Sequence, residues 1–575
     1  MKRLLIYLKD YRKESVLGPA FKLLEVVFEL LVPLVMASLI DQGIANNDQS
    51  HIIQMFGLLV LFGLLGLAAS VTAQYFAAKA AIGFAKKVKH ALFSHIQKLS
   101  FADLDRLGTD SLITRMTSDI NQLQNGVNMT LRLLLRSPFV VFGAMVMAFT
   151  IDVKSALIFV VAIPVLSVVV FGIMIWCIPR YAQVQGKVDS VLAATRENLT
   201  GVRVLRAFCK EEEEVETFRE KNESLTKLQK QVGRVSALMN PVTYILINIA
   251  IAVLIWSGAI QVAAGALTQG AVVALYNYMS QILVELIKLA NLIVSMTKSI
   301  ACGNRIQAVF DVEPTMEEGA GIADEKNNET SYMIEFRDVT KKYHAHGEAA
   351  LDQVSFQAKK GEVIGVIGGT GAGKSSLEQL LPRFYDVTEG EVLVDGRNVK
   401  EYAFGDLRRK VSICMQNPVL FHGTIRENLR WGKKNATEEE MKKALEIAQG
   451  LDIVQKKEEG LDFVLEQGGK NLSGGQRQRL TLARALLQPA DVLILDDSSS
   501  ALDYLTDSKL RAALAKEKKD TTIFIVSQRT ASLQHADKIL VLDDGKLAGQ
   551  GTHEELLERC LVYQEIYYSQ YPKEA

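Results

Sequence analysis

At 575 residues the chain is too long for one ordinary domain, and its 65 Lys and Arg match its 65 Asp and Glu. That balance points away from a polyanionic partner such as nucleic acid. Its hydrophobic content, 49%, is unevenly spread: long apolar runs fill residues 1–310, whereas 330–575 alternate as a soluble α/β domain does.

The N-terminal MKRLLIYLKDYRKES is basic, carries charges through its apolar part and has no small-residue cleavage site, so a cleaved signal peptide is not expected. A membrane span needs about 20 mostly apolar residues. Six candidates follow, at roughly 16–40, 53–82, 131–150, 154–177, 241–263 and 271–299. A short turn around Asp152 and Lys154 separates the third from the fourth, and AGALTQG separates the fifth from the sixth. The connections after the second and fourth candidates are much longer, about 48 and about 63 residues, and rich in Lys and Arg. Positive loops stay in the cytoplasm, which sets the orientation. Both long connections have helical periodicity, so the spans are expected to continue as helices well beyond the bilayer and turn back there. The acidic run Glu211–Glu214 reads as a solvated helix face.

Charges inside spans default to a cavity-facing or partnered role, because lipid does not solvate them. Lys22, Glu25 and Glu29 share one face of the first span, and Glu285 and Lys288 lie three apart in the last. They either line a substrate pathway or neutralise one another. The five cysteines (Cys177, Cys209, Cys302, Cys414 and Cys560) show no paired spacing and read as small buried thiols of a reducing compartment.

A polar, acidic stretch with Pro and Gly, VEPTMEEGAGIADEKNNETS, reads as a linker. Beyond it an apolar strand (362–367) runs into Gly368, Gly369, Thr370, Gly371, Ala372, Gly373, Lys374, Ser375 and Ser376, and then a helical pattern. In this strand–loop–helix setting GxxxxGK[ST] is a phosphate cradle of backbone N–H groups at a helix N-terminus. Lys374 is placed for the β- and γ-phosphates and Ser375 for Mg²⁺. A second apolar strand (492–496) delivers Asp496 as a Mg²⁺ partner, with Asp497 next to it. Between them NLSGGQRQRL presents Ser473, Gly474 and Gly475 at a helix start, a second anion-binding element.

These motifs, above all Leu472-Ser473-Gly474-Gly475-Gln476 about 20 residues before Asp496, resemble a half-transporter of the ATP-binding cassette (ABC) exporters over nearly the whole chain. The resemblance implies an all-α six-helix transmembrane domain (1–310), a linker (311–331) and an α/β P-loop nucleotide-binding domain (332–575). It implies that Tyr343 stacks on adenine, that Gln416 joins Ser375 and Asp496 at Mg²⁺ where the two domains meet, and that Ser500 to Asp503 form a loop between paired nucleotide domains. The FADLDRLGTDSLITRMTSDINQL and ENLTGVRVLRAF stretches resemble the cytoplasmic loops that dock on those domains.

Two positions depart from the family. Asp497 stands where a water-handling glutamate is usual, and Gln528 where a histidine is usual. A carboxylate misplaced by about 1 Å can cost on the order of 100-fold in rate, and a glutamine cannot carry charge or move a proton as histidine does. The pattern resembles the degenerate-site subunit of bacterial heterodimeric multidrug-type exporters: it implies a site that binds ATP and Mg²⁺ but hydrolyses poorly, an LSGGQ that completes the site of a second, non-identical half-transporter, and amphipathic cargo such as drugs, lipids or peptides. An importer of metal chelates with the same fold, and an ATP-binding gate that does not pump, are the competing readings. The resemblance places the chain in a bacterial plasma membrane with its N-terminus and nucleotide domain in the cytoplasm.

Overall fold

The computed structural model describes residues 2–321, 331–344, 347–498 and 504–571. The chain divides into two compact units: Met1–Gln97 with Leu107–Val312, and Lys98–Arg106 with Glu313–Ala575.

The first unit contains six helical segments long and apolar enough to span a membrane: Arg3–Ile44, Gln49–Ile96, Thr109–Ile151, Val153–Thr200, Glu211–Ala263 and Gln269–Phe310. Each is 42–53 residues long, about 60–80 Å at ~1.5 Å per residue, so they run far past a hydrocarbon core as their periodicity predicts. The short external turns are capped by their own side chains. Asp152 accepts from Ser155 N at 2.7 Å and starts the fourth span, and Thr268 caps the sixth. The second long connection bends at Gly201, forms the short helix Val202–Ala207, and restarts at Glu211. Glu211–Glu214 thus occupy the first turn of a helix, where the macrodipole favours acids. Cys209, read from the sequence as buried, is instead exposed, with a left-handed φ of 52° where the chain reverses before that helix. The other four thiols are buried.

The intramembrane charges are paired more thoroughly than spacing alone suggests. Lys22 bonds Glu25 at 2.6 Å, and Lys288 bonds Glu285 at 2.8 Å. The hub is Arg136, which the sequence reading passed over. Its Nη2 donates to Glu29 at 2.8 Å, its Nη1 to Glu285, and Ser137 Oγ donates to the other oxygen of Glu285 at 3.0 Å. Arg136 begins the helix Arg136–Ile151, just after an interruption at Leu134–Leu135. Pro138 explains the interruption, because it lacks the N–H that would bond the Leu134 carbonyl. The network ties the first, third and sixth spans together.

In the second unit, β1 (Tyr332–Lys341), β2 (Leu351–Lys359), β4 (Glu389–Val394) and β5 (Arg397–Asn398) form an antiparallel sheet in the order β2-β1-β4-β5. A six-stranded sheet has the order β12-β11-β3-β10-β9-β6, built from β3 (Val363–Gly368), β6 (Val411–Cys414), β9 (Val492–Asp496), β10 (Thr522–Val526), β11 (Lys538–Asp543) and β12 (Lys546–Gly551). All its pairings are parallel except β11 with β12. A small pair, β7 (Gly423–Thr424) and β8 (Val464–Leu465), stands apart. The near-continuous Val, Ile and Leu of β3, β9 and β10 reflect strands buried on both faces.

Lys98–Arg106 belongs to this second unit although it lies between two membrane helices in the chain. Phe101 packs 4.7 Å from Phe384 between ring centroids, Tyr385 donates to Asp105 at 2.7 Å, and Asp103 accepts from both the backbone N and the hydroxyl of Thr315.

Candidate nucleotide site

In a parallel sheet, ligands collect at the carboxyl ends of the strands. Here β3, β6, β9 and β10 each deliver part of one site. Gly368 ends β3, and a Cβ there would lie 2.2 Å from the Leu542 carbonyl, so only glycine lets the loop leave the strand. Gly373 closes the loop at φ 97° as the residue before the helix Lys374–Leu380, with the Ala350 carbonyl 2.4 Å from where a Cβ would be. Between them a Cβ on Gly369 or Gly371 would meet nothing within 4 Å, so the loop borders open space. Lys374 Nζ arches back over this loop, donating to the Gly368 and Gly369 carbonyls at 2.9 and 2.7 Å. Burial pushes the lysine's pKa down, against the opposing pull of Asp496, Asp497 and Glu378.

Register aligns the rest. Asp496, the last residue of β9, sits opposite Val526, the last of β10. Asp497 N then donates to the Val526 carbonyl, and Ser527 N to that of Val366 in β3. A cavity of about 160 Å³ is lined by Thr370, Gly371, Lys374, Ser375, Gln416, Asp496, Asp497 and Gln528, among others. The folded chain therefore brings together residues separated by more than 150 positions, Asp497 and Gln528 among them. Asp497 adopts φ 42°, left-handed for a non-glycine residue, and its carbonyl accepts from Gln478 Nε2 at 3.0 Å. Aspartate tolerates that backbone better than most residues.

Ser375, Gln416 and Asp496 offer a hydroxyl, an amide oxygen and a carboxylate to one space. These are hard oxygen donors, few in number, as suits Mg²⁺, which keeps waters and substrate phosphates in its shell. Among the described residues there is no group of three His, Cys, Asp or Glu placed to hold a metal ion.

Several residues at the site escaped the sequence reading. Glu378, one turn after Lys374, is 1% exposed, and one of its carboxyl oxygens is buried without a partner. Burial first, and then a hydrogen bond to the Asp496 carboxylate, pushes its pKa up to about 10. The signal was a charged residue on the inward face of KSSLEQLL, flanked by buried Leu377 and Leu380. Gln478 was visible as part of QRQR, but its bond to Asp497 was not. Gln570, from the helix Leu561–Gln570, donates to the Gln528 carbonyl at 2.8 Å and accepts from Thr530 N, bracing the segment that carries Gln528.

The second anion-binding element has separate geometry. Ser473 caps the 14-residue helix Gly474–Leu487 through a reciprocal box with Gln476. Ser473 and Gly474 are exposed, Leu472 is buried, and a Cβ on Gly474 would meet nothing within 4 Å. None of Leu472 to Gln476 lines the cavity that holds Lys374. Tyr343 keeps an exposed ring beside the cradle, its hydroxyl 3.0 Å from Ser376 Oγ. Ser500 and Asp503 lie outside the described residues.

Comparison with known proteins gives the family and the fold. Residues 16–286 match the ABC transporter transmembrane region and 351–500 the ABC transporter family. An uncharacterized ABC transporter ATP-binding protein, YfiB of Bacillus subtilis, is 34% identical over 100% of this chain and 99% of its own length. The chain belongs to the ABC transporter family. An ATP-dependent lipid A-core flippase of Desulfotalea psychrophila is 32% identical over 83% of this chain and 82% of that protein. The solved structure of a bacterial Atm1-family ABC exporter with ATP bound superposes with a TM-score of 0.77 at 21% identity, covering 98% of this chain and 99% of that one, which establishes a shared fold. This ABC half-transporter is a multi-pass membrane protein with a C-terminal cytoplasmic nucleotide-binding domain.

Proposed function

We propose that this chain is one half of a heterodimeric ATP-driven exporter of amphipathic molecules. Its own nucleotide site holds ATP and hydrolyses it poorly, while its LSGGQ serves the working site of a second, non-identical half-transporter. The observation that carries the reading is the meeting of Asp497 and Gln528 in the cavity of Lys374, Ser375, Gln416 and Asp496. The shortened carboxylate and the uncharged amide sit where water and γ-phosphate would be handled. Binding groups are intact, but hydrolytic groups are weakened. The exposed Ser473 cap supports service to another chain, since it is absent from this chain's own cavity. So do the exposed Leu199, Val202, Val204 and Phe208 at the second cytoplasmic loop, an apolar tip suited to docking on a partner. The lipid A-core flippase among the relatives supports amphipathic cargo.

When bound, Mg²⁺ would neutralise charge on the β- and γ-phosphates. The chain's own part is to cradle those phosphates with the Gly368–Gly373 backbone, to pair them with Lys374, and to stack adenine on Tyr343. Lys374→Ala abolishes ATP retention at this site, whereas Ser473→Ala lowers turnover in the partner's site. The deciding measurement is steady-state ATP hydrolysis by this chain alone in lipid, beside the same chain with its partner. Near-zero turnover alone and robust turnover together is expected, with Asp497→Glu plus Gln528→His raising the turnover of the isolated chain by on the order of 100-fold. Brisk turnover by the unaltered chain alone would instead make it a homodimeric exporter. Uptake into vesicles against a gradient with the opposite sign would make it an importer, and opening without uptake a gate.

A further inference from the structure

The charged network in the membrane unit has two partly exposed ends, Glu29 and Lys288. Arg136 and Glu285 are 7% and 3% exposed and hold each other inside the unit. The chain of contacts then runs outward, through Arg136 to Glu29 and through Glu285 to Lys288, whose side chains are 37% and 45% exposed. Arg136 Nη1 and Lys288 Nζ both donate to Glu285 Oε1. The anionic and cationic ends are therefore held only a guanidinium and a carboxylate apart.

Depth follows from helix rise. Measured from the outer ends at Ile44, Ile151 and Gln269, Glu29, Arg136 and Glu285 lie about 22–24 Å down and Lys288 about 28 Å, at ~1.5 Å per residue. With those outer ends set at the outer surface of a hydrocarbon core about 30 Å thick, the network falls at the level of the cytoplasmic leaflet. Charge on this face, at that depth, calls for a polar cavity or a protein neighbour rather than acyl chains. The charges behind it cancel, and Lys22 and Glu25 close on each other and on Ser70. What remains on offer is one carboxylate and one ammonium. A ligand of single sign would pair with one and be repelled by the other.

We propose that Glu29 and Lys288 form a headgroup subsite for a zwitterionic phospholipid entering from the cytoplasmic leaflet, its ammonium bonding Glu29 and its phosphate bonding Lys288. This inference rests on the exporter reading and narrows its cargo.

The test supplies the full-length transporter, purified from membranes, with equimolar phosphatidylethanolamine and phosphatidylglycerol, and counts retained lipids by native mass spectrometry. Wild-type protein is expected to retain the ethanolamine lipid about fivefold over the glycerol lipid, the scale of one partly exposed ion pair. Glu29→Gln brings the ratio to one or below. Lys288→Gln lowers retention of both lipids, and Lys288→Arg restores it. A wild-type preference for the anionic lipid, no preference, or equal losses of both lipids in Glu29→Gln and Lys288→Gln would overturn the subsite; the last result would mark the pair as purely structural. ATP-driven lipid translocation, measured in parallel, separates the two claims. Selective retention without pumping sinks the exporter reading alone, and pumping without headgroup selectivity sinks the subsite alone.

Discussion

The two units bury carboxylates by opposite means. In the membrane unit Glu285 keeps company with Arg136 and Lys288, so each buried charge is matched by one of opposite sign. In the nucleotide-binding unit Glu378 is buried against another carboxylate, Asp496, and the pull of Lys374 does not outweigh that. Its pKa of about 10 makes it a neutral acid that donates to Asp496 at physiological pH. The difference follows from what each site must keep free. In the helix bundle Arg136 is given over to Glu29 and Glu285, whereas Lys374 bends over the glycine loop and Asp496 faces the cavity. A permanent ion pair at Glu378 would take up Lys374, which instead bonds the Gly368 and Gly369 carbonyls at the cavity. Asp103 shows a third solution. Burial pushes its pKa up, but hydrogen bonds from Ser100 and Thr315 outweigh that and hold it below the ordinary 3.8.

Removing Arg136 should have the largest effect. Arg136→Ala leaves Glu285 and Glu29 without their shared partner and is expected to cost about 3–5 kcal/mol, read as loss of folded protein in detergent thermal melts. Arg136→Ala with Glu285→Gln should recover a substantial part of that loss. If the single variant melts as the wild type does, the pairing is not what makes burial tolerable.

Glu378→Gln sharpens the comparison from the other side, because it keeps a donor to Asp496 and removes the titration. Folded Glu378 holds a proton that the unfolded chain, at its ordinary 4.5, releases. Stability from this group is therefore complete below pH 4.5 and falls as pH rises toward about 10. The glutamine variant should flatten that slope and raise the melting temperature of the nucleotide domain at pH 8 by about 2–4 °C. An unchanged slope would mean that Glu378 is ionised in the folded chain.

Asp103→Asn should have the smallest effect, about 1–2 kcal/mol, seen as faster hydrogen exchange across 98–106 and 313–316. The sign is the reverse of that for Glu378. A depressed carboxyl stabilises above its unfolded value of 3.8, and that contribution is lost as pH falls through the folded value. Wild type and variant should thus converge only in acid.

Much of this molecule could be read before it was folded. The six spans, the strand 492–496 and the Gly368–Ser376 loop rest on local signals: apolar length, β-branched runs, and a glycine pattern whose purpose is to bring backbone close to phosphate. Those signals act within one helix or one strand turn, so they survive without tertiary information. Asp497 and Gln528 were singled out from the sequence as well, and the fold brings both to the cavity of Lys374.

What tertiary structure alone decided is which distant groups meet. Arg136 looked like an ordinary span residue until the first and sixth helices brought Glu29 and Glu285 to it. Glu378 looked like a helical glutamate until β9 placed Asp496 against it. Lys98–Arg106 was already likened to a docking loop by sequence, but its particular partners, Phe384, Tyr385 and Thr315, came only from the fold. The physical reason is common to all three. Backbone propensity is short-ranged, but the energy of a buried charge depends on every group within a few ångströms, whichever part of the chain supplies it.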